Sequence, residues 1–249
     1  MRKSMRLLAL LAVVVLSVAA VAPEWADADD ENEIPFSRTK ILIEFNATAN
    51  DVGIQVLLDG EPWKRVTIFS PDKRRLLTIA STGSLKKQGL TELFFESSEP
   101  SLDEVPLAEF LARFPAGVYE FEGVTVDGIE LDGEAILTHV IPAGPVIVSP
   151  VSLTDEPPVV DPKNLVIKWE SVTETITSST DIEIVGYQVI VEQVEPRRVL
   201  SIDLPALTTS VKVPREFFLQ RNTLHKFEVL AIEASGNQTI TEGAFVTKP

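Results

Sequence analysis

The chain of 249 residues contains no cysteine. Disulfide staples, thiolate catalysis and cysteine-bound zinc are therefore excluded, and the fold has to be held by its core. Histidine is almost missing too, with only His139 and His225 present, so a metal site would have to draw mainly on carboxylates. No P-loop, dinucleotide fingerprint, zinc signature or G-x-S-x-G setting occurs, and Ser84, Ser97 and Ser98 have no His or Lys placed by sequence to activate them. Beyond the first two dozen residues no apolar run is long enough to cross a bilayer. Positive charge is in deficit, 22 Lys+Arg against 37 Asp+Glu for a net charge of −15. Such a surface repels phosphate backbones and anionic lipid, which speaks against nucleic-acid and membrane-surface partners. It suits protein partners, cationic ligands and loosely held divalent cations.

What is present begins with a secretory pattern. Arg2, Lys3 and Arg6 precede an apolar run over residues 7–22, and Ala26-Asp27-Ala28 offers an A-x-A cleavage site. The expectation is a signal segment over 1–28, removed on export to the periplasm or the cell exterior, with no membrane insertion afterwards; the competing reading is an uncleaved anchor. The absence of a following cysteine excludes lipid attachment. Residues 29–33 read as an acidic leader without pattern.

From Ile34 the texture becomes β. TKILIEFN, GIQVLLD, RVTIF, RLLTIA and LFFES are short β-branched and aromatic runs. They are separated by turn residues, with turns expected at Asp59-Gly60, Pro71-Asp72, Asp127-Gly128 and Asp132-Gly133. One segment, SLDEVPLAEFLARFPAG, has helical spacing at Leu107, Phe110, Leu111 and Phe114, with Ser101 and Glu104 in a capping pattern. The expected architecture is all-β: a β-sandwich over 34–141 with a short helix near 106–114, a proline-bounded linker over 142–145, and a second sandwich over 146–249.

The second unit carries a family signature. LVIKWES places Trp169 on an early strand, IVGYQVIVEQ places Tyr187 with Val189 and Val191 on one face, and LHKFEVLAIEASGNQT aligns His225, Phe227, Val229 and Ala231. With PVIVSPVS, RRVLSIDLP, LTTSVKVP and TITEGAFVT these segments follow in strand order, and the region resembles a fibronectin type III domain. The resemblance implies a two-sheet sandwich with Trp169, Tyr187, His225 and Phe227 as structural core. In that family the place of His225 usually holds a tyrosine that ties down the preceding loop, so His225 reads as a corner post bonded to backbone near Arg221 or Phe218. The resemblance also implies a binding or spacing role. The polar loop over 171–181, SVTETITSSTD, reads as solvated and as a plausible contact surface.

Three chemistries can be weighed. The acidic stretch with Glu92, Glu96, Glu99, Asp103 and Glu104 could seat a glycosidase pair only if two carboxyls face each other across a cleft. Trp63 beside Lys64 and Arg65 is a candidate ligand contact, with a sugar-stacking face as one reading and core packing as the other. Asn46, Asn50, Asp51, Asp127, Asp132, Asp155 and Asp181 lie in expected loops, but no D-x-D-x-D-G loop exists, so at most a weak Ca2+ site is expected. Asn46-Ala47-Thr48 and Asn237-Gln238-Thr239 match glycosylation sequons. The resulting expectation is a non-enzymatic, exported binding or scaffold protein without cofactor that engages a protein partner. The alternative is a glycan-binding accessory protein or weak glycoside hydrolase using Trp63 and the Glu96–Glu104 stretch.

Overall fold

The computed structural model describes residues 33–151 and 156–249. The expected signal segment, the leader apart from Glu33, and Asp155 lie outside the described residues. No helix among the described residues is long and apolar enough to cross a membrane.

The first half is built from β1 (Glu33–Pro35), β2 (Arg38–Asn46), β3 (Asp51–Phe69), β4 (Arg75–Ala80), α1 (Gly83–Gln88), β5 (Leu90–Glu96), α2 (Leu107–Arg113), β6 (Gly117–Thr125) and β7 (Glu130–Leu137). Its organising element is β3, 19 residues long. The first part of β3 pairs with β2 and β5, the second with β4 and β6, and the ladders shift register around residues 59–65. A strand that changes partners at such a break turns a corner, so one sheet folds over into two packed layers. Between them lie Ile41, Ile43, Val52, Ile54, Leu58, Trp63, Val66, Ile68, Tyr119, Phe121 and Leu131, all buried. The α2 helix closes one end of this core through Phe110, which is buried and 5.2 Å from the Phe114 ring. Its N-cap is Pro106 rather than the expected Ser101, whose hydroxyl instead accepts from the Asp103 N–H in the preceding turn.

Two of the expected turns form, at Pro71-Asp72 and Asp127-Gly128, while Asp59-Gly60 and Asp132-Gly133 lie inside β3 and β7. The reason is Phe36. A Cβ on Gly60 or Gly123 would come within 2.8 Å of its ring, and one on Gly133 within 3.3 Å. These glycines make a slot for an aromatic ring on the sheet surface rather than a reversal of the chain.

The second half comprises β8 (Ile147–Ser149), β9 (Val159–Val160), β10 (Val166–Trp169), β11 (Ile184–Gln193), β12 (Arg198–Pro205), β13 (Ser210–Lys212), β14 (Leu224–Glu233) and β15 (Gln238–Thr247). One sheet has the order β13-β10-β8 and the other runs β15-β14-β11-β12, with β9 added parallel to β15. That division of strands makes the two-sheet sandwich that the fibronectin type III resemblance implies, and its core holds Ile167, Trp169, Tyr187, Val189, Val191, Phe227, Val229 and Phe245.

The two halves share hydrogen bonds across their boundary. β15 pairs parallel with β2, matching Gln238 with Glu44, Thr239 with Phe45 and Ile240 with Asn46. The larger sheet therefore runs without a break from β7 to β12.

Candidate functional site

Asn237 shows how the junction is built. It is 1% exposed, and its Oδ1 accepts the Ile43 N–H at 2.8 Å. Its Nδ2 donates to the carbonyls of Thr138 and Val140 at 3.1 and 2.8 Å and to the Thr138 hydroxyl at 3.0 Å. One side chain thus satisfies four backbone or hydroxyl groups from two segments, which a buried amide must do to offset its desolvation. This corrects the sequon reading: the Asn237 amide is buried and occupied in the folded chain. Asn46, the other sequon asparagine, accepts from the Thr48 and Ala49 N–H groups and donates to Glu242 across the junction.

The segment joining the halves is tied down as well. Ile141 is 2% exposed, the Ala143 N–H donates to the Glu174 carbonyl at 2.9 Å, and the Thr239 hydroxyl donates to the Pro142 carbonyl at 2.5 Å. Gly144 fits so closely that a Cβ there would lie 2.6 Å from Ala47. The 171–181 loop is anchored to this segment at one point, where Thr175 is buried and Ile176 packs against the hydrophobic core of the first half, while Ser171, Thr173, Glu174 and residues 177–181 are exposed.

Beside this clamp the carboxylates gather. Glu44, Glu96 and Glu99 bring oxygens within 4.8 Å of one another. Burial pushes the Glu44 carboxyl up to about 8, with the nearby charges of Glu96, Glu99 and Glu228 adding to the effect and a hydrogen bond from Gln238 opposing it. Glu228 is raised to about 7, first by burial and then by Glu242 and Glu192. At neutral pH Glu44 is therefore mostly protonated. Glu44, Glu96 and Glu99 are the described residues that could hold a cation, a use that would compete with the proton on Glu44.

Glu96 and Glu99 were legible as acids in the sequence; Glu44 was not. In TKILIEFN the inward residues are Ile41, Ile43 and Phe45, so alternation assigns Glu44 to the outer face. Only the pairing of β15 onto β2 brings Gln238 against it. The other acids of the stretch, Glu92, Asp103 and Glu104, are not part of the group.

The remaining residues singled out by sequence are placed as follows. Trp63 is fully buried in the core of the first half, which corrects the sugar-stacking reading, since no ring face is offered to a ligand. Its neighbours Lys64 and Arg65 do reach the surface. Trp169 and Tyr187 pack with ring centroids 5.4 Å apart, and the Tyr187 hydroxyl accepts from the Val172 N–H at 2.9 Å. His225 is fully buried, its ring stacked on Phe245 at 5.1 Å with Phe218 at its edge. Its Nδ1 bonds the Thr223 carbonyl at 3.0 Å, and Nε2 has no hydrogen-bond partner. Burial lowers its pKa. Phe227 lies in the same core. His139, on the surface, bonds the Phe114 carbonyl at 2.8 Å.

No family model and no curated protein matches the chain. Among solved structures it is similar to the FN1–FN3 domains of chicken CNTN1, at 10% identity and a TM-score of 0.31, covering 88% of this chain and 66% of that one. A two-domain fibronectin type III segment of chicken tenascin matches at 9% identity and a TM-score of 0.29, covering 84% and 99%. A 1.5-MDa bacterial ice-binding adhesin matches at 14% identity and a TM-score of 0.27, covering 86% and 65%. The chain spans just under two thirds of the first and last of these structures.

Proposed function

We propose that this chain is an exported, non-enzymatic binding or scaffold protein that engages a protein partner, with units at 34–141 and 146–249 joined over 142–145. The observation that supports this most is the junction itself. A parallel ladder, the Asn237 bonds and Ile176 set the two halves at one angle, which is what a spacer that presents surfaces at a fixed separation requires. The fibronectin type III arrangement of the second half is a scaffold on which recognition is commonly grafted. A glycan reading would now rest on Lys64 and Arg65 without an aromatic platform.

The test is affinity capture with the processed protein as bait in its native compartment, followed by titration of the captured partner and assay of pooled polysaccharides. Saturable binding to a defined protein and no turnover is the expected result. Turnover that disappears in Glu96→Gln would overturn the reading in favour of a glycoside hydrolase.

A further inference from the structure

Two hollows of opposite charge lie side by side on the first half. One, of about 290 Å3, is lined by Lys64, Arg65 and Lys86 around Ser81, Ala80 and Val124. The other, of about 280 Å3, is lined by Thr67, Glu122, Glu130 and Asp132, and it shares Arg65 and Val124 with the first. Arg65, Lys86, Glu122, Glu130 and Asp132 are exposed. No salt bridge forms among these charges, and none of the three cations pairs with any described carboxylate. In a chain of net charge −15, three cations stand beside four acids, with Glu33 at the edge of the second hollow, and form a dipolar strip.

The register sets its dimensions. Across the sheet, Ala80 on β4 opposes Arg65 on β3, Arg65 opposes Val124 on β6, and Val124 opposes Glu130 on β7. Thr67, Glu122 and Asp132 form the next row. Arg65 and Glu130 stand two strands apart, about 10 Å, a span that two long side chains on one face of an extended peptide, two residues and about 7 Å apart at the backbone, reach by splaying. A polyanion over the lysines would meet Glu122 and Asp132, and a polycation over the acids would meet Arg65. Each is repelled by half of the strip.

From this geometry we infer that the strip formed by Lys64, Arg65, Lys86, Glu122, Glu130 and Asp132 binds an extended protein segment carrying an acidic and a basic side chain two residues apart, on the same face of the segment. The acidic group sits over the cations and the basic group over the carboxylates, while Val124 gives an apolar floor between them. This rests on the reading of the chain as a binding protein and names the chemistry of one partner surface.

The test uses the whole processed protein and three labelled hexapeptides. One carries Lys and Glu two residues apart, and its twins carry two Glu or two Lys at the same positions. Fluorescence anisotropy at low salt should show the mixed peptide binding about fivefold or more tighter than either twin, with weakening as salt rises. Lys64→Ala with Lys86→Ala should abolish that preference, and Glu122→Gln with Glu130→Gln should shift it toward the acidic twin. Equal binding of all three peptides to the unaltered protein, or no binding below about 1 mM, would overturn the inference, and this comparison needs no variant. If affinity capture returns a partner whose binding ignores these four substitutions, the binding-protein reading stands and this surface is eliminated.

Discussion

Both halves of the molecule seat an aromatic ring against glycine, yet they do so over different distances in the chain. In the second half, Phe227 on β14 sits opposite Gly243 on β15, its direct ladder partner, so ring and slot come from adjacent strands. In the first half, Phe36 between β1 and β2 is received by Gly60, Gly123 and Gly133 from three other strands. The second half is thus assembled from neighbouring strands with regular alternation. The first depends on bringing remote strands around one residue, with β3 bent to serve both layers.

The depth of the two slots sharpens this contrast and supplies the largest expected effect. A Cβ on Gly243 would approach Phe227 to 2.3 Å inside a sealed core, where the ring is 1% exposed. Gly243→Ala is expected to cost about 3–4 kcal/mol, because nothing around the ring can give way. Gly60→Ala meets Phe36, 7% exposed, at 2.8 Å, half an ångström less close than at Gly243, and about 1–2 kcal/mol is expected. Urea unfolding of both variants checks this; equal losses would show that the two slots are equally rigid.

Next in size is the link between the halves. Asn237→Ala leaves the Ile43 N–H and the carbonyls of Thr138 and Val140 without the partner they have now. A loss of about 2–3 kcal/mol is expected, together with separation of one unfolding transition into two. A single unchanged transition by calorimetry would show that the ladder between β2 and β15 suffices alone.

The smallest effects are those of pH, and they oppose each other. Glu44 has a folded pKa raised to about 8 from an ordinary 4.5. The folded state therefore binds more protons than the unfolded one between those values, and the junction loses stability as pH rises through that window. His225 is lowered by burial, so its contribution is lost as pH falls below the ordinary histidine value. Glu44→Gln should make the protein more stable at pH 8 than at pH 5, relative to the parent, by about 1–2 kcal/mol. His225→Phe should remove the loss of stability between about pH 7 and pH 5. Thermal melts across pH 5 to 8 distinguish the two, and parallel curves for parent and variants would refute both.

The legibility of the sequence follows the same division. Strand runs and the helix around Phe110 were readable, because alternation and helical spacing are local and each apolar face had one core to join. Asp59-Gly60 and Asp132-Gly133 misled, because a glycine beside an aspartate signals a turn locally, whereas the need for a ring slot arises only when Phe36 is brought back over the sheet. Among candidate site residues, Lys64, Arg65 and Glu96 could be found as exposed charges. Glu44, Lys86 and Glu130 could not be linked to them, since cross-strand neighbours are set by register.

By itself the sequence determined that the chain is β-rich, free of disulfides, strongly acidic, and in its second half patterned in short strands of alternating faces. Those are properties of composition and of a period of two, and they require no knowledge of what lies opposite. Tertiary structure alone decided that Asn237 is a clamp rather than a loop residue, that Trp63 faces inward, and that charges from β3, β6, β7 and α1 form one strip. Each of these depends on pairing between residues far apart in the chain, where a one-place change of register would send every side chain to the opposite face.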